Sequence, residues 1–134
     1  PPFDGLIVGM NYTYVDAEAD TGDREVDMPK QSGNIANLMI GYEKGGFDFR
    51  AAMKYRDDYI DELVDPDYDR YTSDHTQWDV TAKYRFSDNW LVYAELTNLG
   101  DEPEHYYSGN RNRLFQYDEY GTISAIGIQY NFQE

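Results

Sequence analysis

The chain has 134 residues, 26 acids against 11 bases, a formal charge of −15 and no cysteine. That length suits one domain or a piece of a larger one, and an aromatic content of 16 % argues against disorder despite the charge. The charge excludes a nucleic-acid partner, whose phosphates it repels, and the missing cysteine excludes a disulfide scaffold, thiol catalysis and cysteine zinc sites.

No apolar run is long enough for a transmembrane helix. The chain opens on Pro1-Pro2 with no signal peptide, so an upstream segment is expected. Period-two alternation then predicts six strands, each with two unlike faces. In the first, 6–15, Leu6, Val8, Met10, Tyr12 and Tyr14 share a face. An acidic window follows, Asp16 to Asp27. The second strand, 34–43, sets Ala36, Leu38, Ile40 and Tyr42 against Asn37, Met39 and Gly41. Lys44-Gly45-Gly46 turns the chain into the third, 47–56, where Phe47, Phe49, Ala51, Met53 and Tyr55 oppose Asp48, Arg50, Ala52, Lys54 and Arg56. A second acidic window, Asp57 to Asp74, precedes the fourth strand, 76–86, with Trp78, Val80, Ala82, Tyr84 and Phe86 on one face. Ser87-Asp88-Asn89 leads into the fifth, 90–99, with Trp90, Val92, Ala94 and Leu96 together. The third acidic window, Asp101 to Glu119, precedes the sixth, 121–132, with Ile126, Ile128, Tyr130 and Phe132 together. Tight turns and long acidic loops therefore alternate. They describe an antiparallel up-and-down meander with short turns at one end and one acidic face at the other. No segment has a helical period.

A soluble sandwich or barrel would bury the apolar face; a membrane barrel would turn it to lipid. The aromatics favour lipid. Tyr42, Phe47, Phe49, Tyr84, Phe86, Trp90, Tyr130 and Phe132 fall towards the short-turn end, and Tyr12, Tyr14, Tyr55 and Trp78 towards the long-loop end. Between them lies an aliphatic belt, as two membrane interfaces require. Asp48, Arg50, Lys54, Arg56, Asp79, Lys83, Arg85 and Glu95 line the opposite face and need water. Six strands are too few to close around them, so the chain reads as part of a wider transmembrane barrel.

The end of the chain carries a more specific pattern. Asn89-Trp90-Leu91-Val92-Tyr93-Ala94-Glu95 is followed by Thr97-Asn98-Leu99-Gly100-Asp101-Glu102-Pro103, then Gln116-Tyr117-Asp118-Glu119-Tyr120-Gly121 and Ile126-Gly127-Ile128-Gln129-Tyr130-Asn131-Phe132. In combination these resemble the C-terminal end of a TonB-dependent outer-membrane receptor, and Tyr12-Thr13-Tyr14 and Gly41-Tyr42-Glu43 resemble other strands of that family. The resemblance covers nearly the whole chain, most strongly after residue 75. It implies the last six strands of a 22-stranded barrel in the outer membrane of a Gram-negative bacterium. It also implies uptake of a scarce solute, either a metal chelate such as a siderophore or an oligosaccharide. The family's plug and its TonB-contacting segment lie nearer the N-terminus and are expected outside these residues. Outer-membrane lipid, TonB and a small solute are the implied partners; no cofactor is implied. Gln133-Glu134 after Phe132 departs from the family's aromatic terminus.

Enzymatic chemistry finds no support. His75 and His105 read as loop residues without a triad or metal-site partner, and there is no phosphate-binding or dinucleotide motif. Asp65, Asp67 and Asp69 alternate as hard oxygen donors for calcium do, but lack the EF-hand glycine and distal glutamate; a solvated loop is the simpler account. The third window sets Tyr106, Tyr107, Asn110, Arg111, Asn112, Arg113, Phe115 and Tyr117 together. Aromatic faces with amide and guanidinium groups between them suit stacking on sugars or aromatic chelates, so Tyr106, Tyr107, Asn110, Arg111, Arg113 and Tyr117 are the candidate ligand contacts. Packing of the loops against one another is the competing role. Asn98 and Asp101 are expected to shape the strand-to-loop junction. The alternative function is a soluble all-β carbohydrate-binding module using the same loops.

Overall fold

A computed structural model describes residues 3–132; the opening Pro1-Pro2 and the terminal Gln133-Glu134 lie outside the described residues. In chain order the strands are β1 (Leu6–Tyr14), β2 (Glu18–Asp20), β3 (Glu25–Asp27), β4 (Asn34–Lys44), β5 (Phe47–Arg56), β6 (Tyr59–Glu62), β7 (Arg70–Thr72), β8 (His75–Arg85), β9 (Trp90–Thr97), β10 (Glu104–Ser108), β11 (Asn110–Asp118) and β12 (Ile123–Tyr130). The six expected strands are β1, β4, β5, β8, β9 and β12, and they form one sheet in that order. Their ends lie within two residues of the predicted ones, and β5 matches at both ends.

Direct partners across an antiparallel pair share a face, so the register tests the face assignments. It aligns Val8, Ile40, Ala51, Val80 and Leu96 in one row, and Leu6, Tyr42, Phe49, Ala82, Ala94 and Ile126 in another. Every member belongs to the expected apolar face. The polar face aligns in the same way. Asp48 is opposite Lys83, Arg50 opposite Thr81 and Thr81 opposite Glu95. Lys54 reaches Asp79 at 3.3 Å, and Asn37 donates to Asn11 at 2.8 Å.

Local chemistry fixes the turns. Gly45 and Gly46 form the two-residue connection of β4 and β5 with φ of 59° and 81°, the conformation that matches strand twist and excludes most side chains. At Gly46 a Cβ would also meet the Arg85 carbonyl oxygen at 2.6 Å. At the upper end of β9, Asn98 takes φ 55° and Asp101 φ 50°. The buried Asn98 amide donates to the carbonyls of Glu102 and Gly121 and accepts from the Glu102 N–H. It thereby joins β9 to the approach to β12, the junction role expected of Asn98.

The wall has no core. Among the described residues the buried apolar side chains are Ile60 and Tyr107, and both lie in the loops. On the wall's apolar face Met10 is 81 % exposed and Ile126 87 %. A soluble sandwich would cover these side chains with a second sheet. The second sheet that exists does something else. It contains β11, β10, β7 and β6 in that order, all drawn from the second and third long connections, while β2 and β3 pair as a hairpin in the first. The three acidic windows, read as loops, therefore carry six further short strands. His75 and His105, read as loop residues, sit in β8 and β10.

Candidate functional site

The three long connections stand at one end of the wall, and the second one organises the others. Asp69, just before β7, is 1 % exposed. Its carboxylate accepts the N–H groups of Val64 and Asp65 at 2.9 and 3.1 Å and pairs with the Arg24 guanidinium at 2.7 Å. Arg24 tips the β2–β3 hairpin and is the one cation in the first acidic window. The Asp69 carbonyl accepts the N–H of Gly109, from the third connection, at 2.8 Å. Gly109 has φ 65°, and a Cβ there would lie 2.0 Å from the Asp67 carbonyl oxygen, so only glycine brings the two connections this close. Burial works against the Asp69 charge, but the Arg24 hydrogen bond and the two N–H donors outweigh it and hold the carboxyl below its ordinary range.

A second junction surrounds Tyr107 on β10. Its ring stacks on Tyr71 of β7, with centroids 5.1 Å apart and planes within 6°. Its hydroxyl donates to Asp58 at 2.8 Å, and Arg111 reaches Asp58 at 3.1 Å and Asp74 at 3.6 Å. Burial, then the bond to the Asp58 carboxylate, pushes the Tyr107 phenol from 10.0 up to about 12. A raised phenol favours the folded loops fully below the ordinary value and loses that contribution as pH rises from 10.0 to about 12. Spectroscopic titration of phenolate should therefore show a group of late-ionising tyrosines, smaller by one in Tyr107→Phe, with loosening of the third connection as Tyr107 ionises. Ionisation of every tyrosine near the ordinary value would contradict the Asp58 bond.

The candidate contacts separate on this scaffold. Tyr107 and Arg111 meet at Asp58. Tyr106 turns to Glu104 at 3.0 Å, and burial followed by that bond raises its phenol. Tyr117 stacks on His105 at 5.0 Å, and Arg113 lies over the Tyr68 ring at 5.4 Å with its Nη1 on the Asp67 carbonyl. The exposed Asn110 accepts the Asn112 N–H. Packing of loop on loop thus engages most of the set. The alternating aspartates are not brought together: Asp69 faces Arg24, Asp65 accepts the Asp67 N–H, and no metal-holding group of three such side chains occurs among the described residues.

Between the first and second connections lies a cavity of about 290 Å³. Asp16, Asp27, Asp57 and Asp58 line it together with Tyr14, Tyr59 and Tyr71, and no lysine or arginine does. Asp57 is fixed by the Asn34 N–H at 2.9 Å. Sequence reading placed these acids in windows without pairing them across windows; the lone Arg24 in an acidic run was the available signal.

The sheet register, the exposed aliphatic belt and the outer loops describe a barrel wall, and comparison with known proteins decides which one. Residues 3–99 match the family model described as TonB dependent receptor-like, beta-barrel. The chain belongs to the TonB-dependent receptor β-barrel family. No curated protein and no solved structure matches it. The matched residues hold β1 to β9, so the assignment rests on more of the wall than the terminal motifs that first suggested it. The receptor barrel stands in the Gram-negative outer membrane, with its apolar face to lipid and its polar face to the lumen. Receptors of this family are transporters rather than enzymes, coupled to TonB and taking up a ligand.

Proposed function

We propose that these residues are the C-terminal six wall strands and last three outer loops of such a receptor, and that its solute is an uncharged oligosaccharide rather than an anionic iron chelate. The plug and the TonB-contacting segment then belong to the N-terminal remainder of the receptor. The carrying observation is the acidic, tyrosine-lined cavity between the first two outer loops. Sugar hydroxyls donate to carboxylates, and sugar rings pack on aromatic faces. An anionic chelate meets repulsion there. The nearby cations do not compensate: Arg111 is held by Asp58 and Asp74, Arg24 by Asp69, and Arg56 by Glu104. Asn110, Arg113 and Tyr117 lie exposed on the third loop, where an arriving solute would first touch.

The test is calorimetric binding to the intact detergent-solubilised receptor, using a panel of neutral oligosaccharides and a ferric tricatecholate. Oligosaccharide binding with little dependence on salt is expected. Tight binding of the ferric chelate, with no sugar bound, would sink the proposal.

A further inference from the structure

The outer sheet has two unlike edges. On one side β6 is closed off by the first loop: the Lys30 N–H donates to the Ile60 carbonyl at 2.6 Å, and Ile60 is buried. On the other side β11 is open. Eight of its nine residues are exposed, among them Leu114 at 59 % and Phe115 at 54 %. These apolar side chains stand in the outer loops, above the belt that lipid covers. A long, exposed, partly apolar strand edge is a surface that proteins cover.

The strand order indicates what covers it. The outer sheet runs β6, β7, β10, β11 in the direction in which the wall runs β5, β8, β9, β12. The open edge of β11 therefore stands above the open edge of β12. A closed barrel leaves no wall strand unpaired, so another wall strand pairs with β12. In a meander it runs antiparallel to β12, rising towards the outer loops beside β11.

We infer that the wall strand pairing with β12 continues beyond the membrane as an extended segment and pairs with β11, so that the outer sheet crosses the barrel seam without a break. β11 suits an acidic segment. It carries Arg113, whose guanidinium lies over Tyr68 and pairs with no carboxylate among the described residues, in a chain of net charge −15. A second copy of the receptor does not suit it as well. Two barrels in one membrane are related by an axis along its normal, which sets their β11 strands parallel. The neighbouring wall strand supplies the antiparallel partner that β10 already exemplifies.

The inference rests on the reading of these residues as wall of a closed barrel, and the experiment separates the two. In the intact receptor in outer-membrane vesicles, Asn112→Cys or Leu114→Cys on β11 is combined with a cysteine scan along the upper part of the strand that neighbours β12. Ala125→Cys on β12, scanned against the lower part of that strand, is the reference. The chain contributes no cysteine of its own. Directly opposed antiparallel residues fall within disulfide range, with Cα atoms about 4.5–5.5 Å apart. After mild oxidation, both series should yield intramolecular disulfides at alternate positions in one continuous register. Disulfides from β12 with none from β11 would overturn the seam-crossing sheet alone. A band at twice the receptor mass from the β11 variants would overturn it in favour of a second copy. Failure of both series would overturn the closed-wall reading and this inference with it.

Discussion

Ala51→Arg should destabilise the folded receptor in lipid vesicles by about 2–4 kcal/mol, the cost of an arginine near the bilayer midplane of a membrane barrel. Ala51 lies mid-strand on β5, between Ile40 and Val80, with Val8, Leu96 and Ser124 completing the row. No charged side chain stands in that row, so the guanidinium meets hydrocarbon. Ala52→Arg, one residue on, should cost far less. Its partners across the sheet are Met39 and Asp79, so the new charge points into the lumen beside a carboxylate. Asp79 is shared with Lys54 at 3.3 Å, and some repulsion from that ammonium remains. Because the side-chain period is two, a register slip of one residue would invert the order of the two penalties. Denaturant titration of both variants gives the penalties. A lipid-borne quencher should dim a fluorophore at position 51 and spare one at 52. Equal penalties, or quenching at 52, would falsify the assignment of faces.

The wall was legible because lipid on one side and water on the other impose a strict alternation over some ten residues. Phe47 to Arg56 shows it with Ala52 as the one small apolar residue on the polar face, and β5 has those bounds. The outer strands obey no such rule. β2, β3 and β7 have three residues each, too short for a period to register. In the β10–β11 hairpin the register shifts between Tyr106 and Tyr107 and again between Tyr107 and Ser108, which scrambles the alternation. The site was less legible still. Tyr107 was singled out for its type, but its burial against Tyr71 and its bond to Asp58 depend on residues 36 and 49 positions away. The spacing of Asp65, Asp67 and Asp69 suggested a shared cation because spacing is local. The cation that Asp69 meets is Arg24, 45 residues earlier.

Asp69→Ala should release the β2–β3 hairpin of the first outer loop from the second loop while leaving the wall intact. The substitution removes the Arg24 partner and strands the N–H groups of Val64 and Asp65 in a buried position. Breaking a buried pair from one side costs about 3–5 kcal/mol, and Arg24, at 27 % exposure, can recover water, which places the loss near the lower figure. Amide exchange across the Thr21–Arg24 turn and the Val64–Asp69 segment should then accelerate by roughly a hundredfold, since each 1.4 kcal/mol is tenfold in the opening equilibrium. Exchange in β5 and β8 should not change, because their hydrogen bonds are made within the wall. Arg24→Ala should be milder, as Asp69 keeps its two backbone donors. The pH dependence follows from the sign of the Asp69 shift. Its folded carboxyl lies below the ordinary range, so the linkage is fully present above that range and is lost as pH falls through the lowered value. The β2–β3 hairpin of the unsubstituted receptor should thus stay docked through mildly acidic conditions and come free only below the ordinary carboxylate range, whereas that of Asp69→Ala should be loose at every pH. Unchanged protection in Asp69→Ala, or exchange lost equally in wall and loops, would show that the Asp69 side chain is not what ties the β2–β3 hairpin to the second loop.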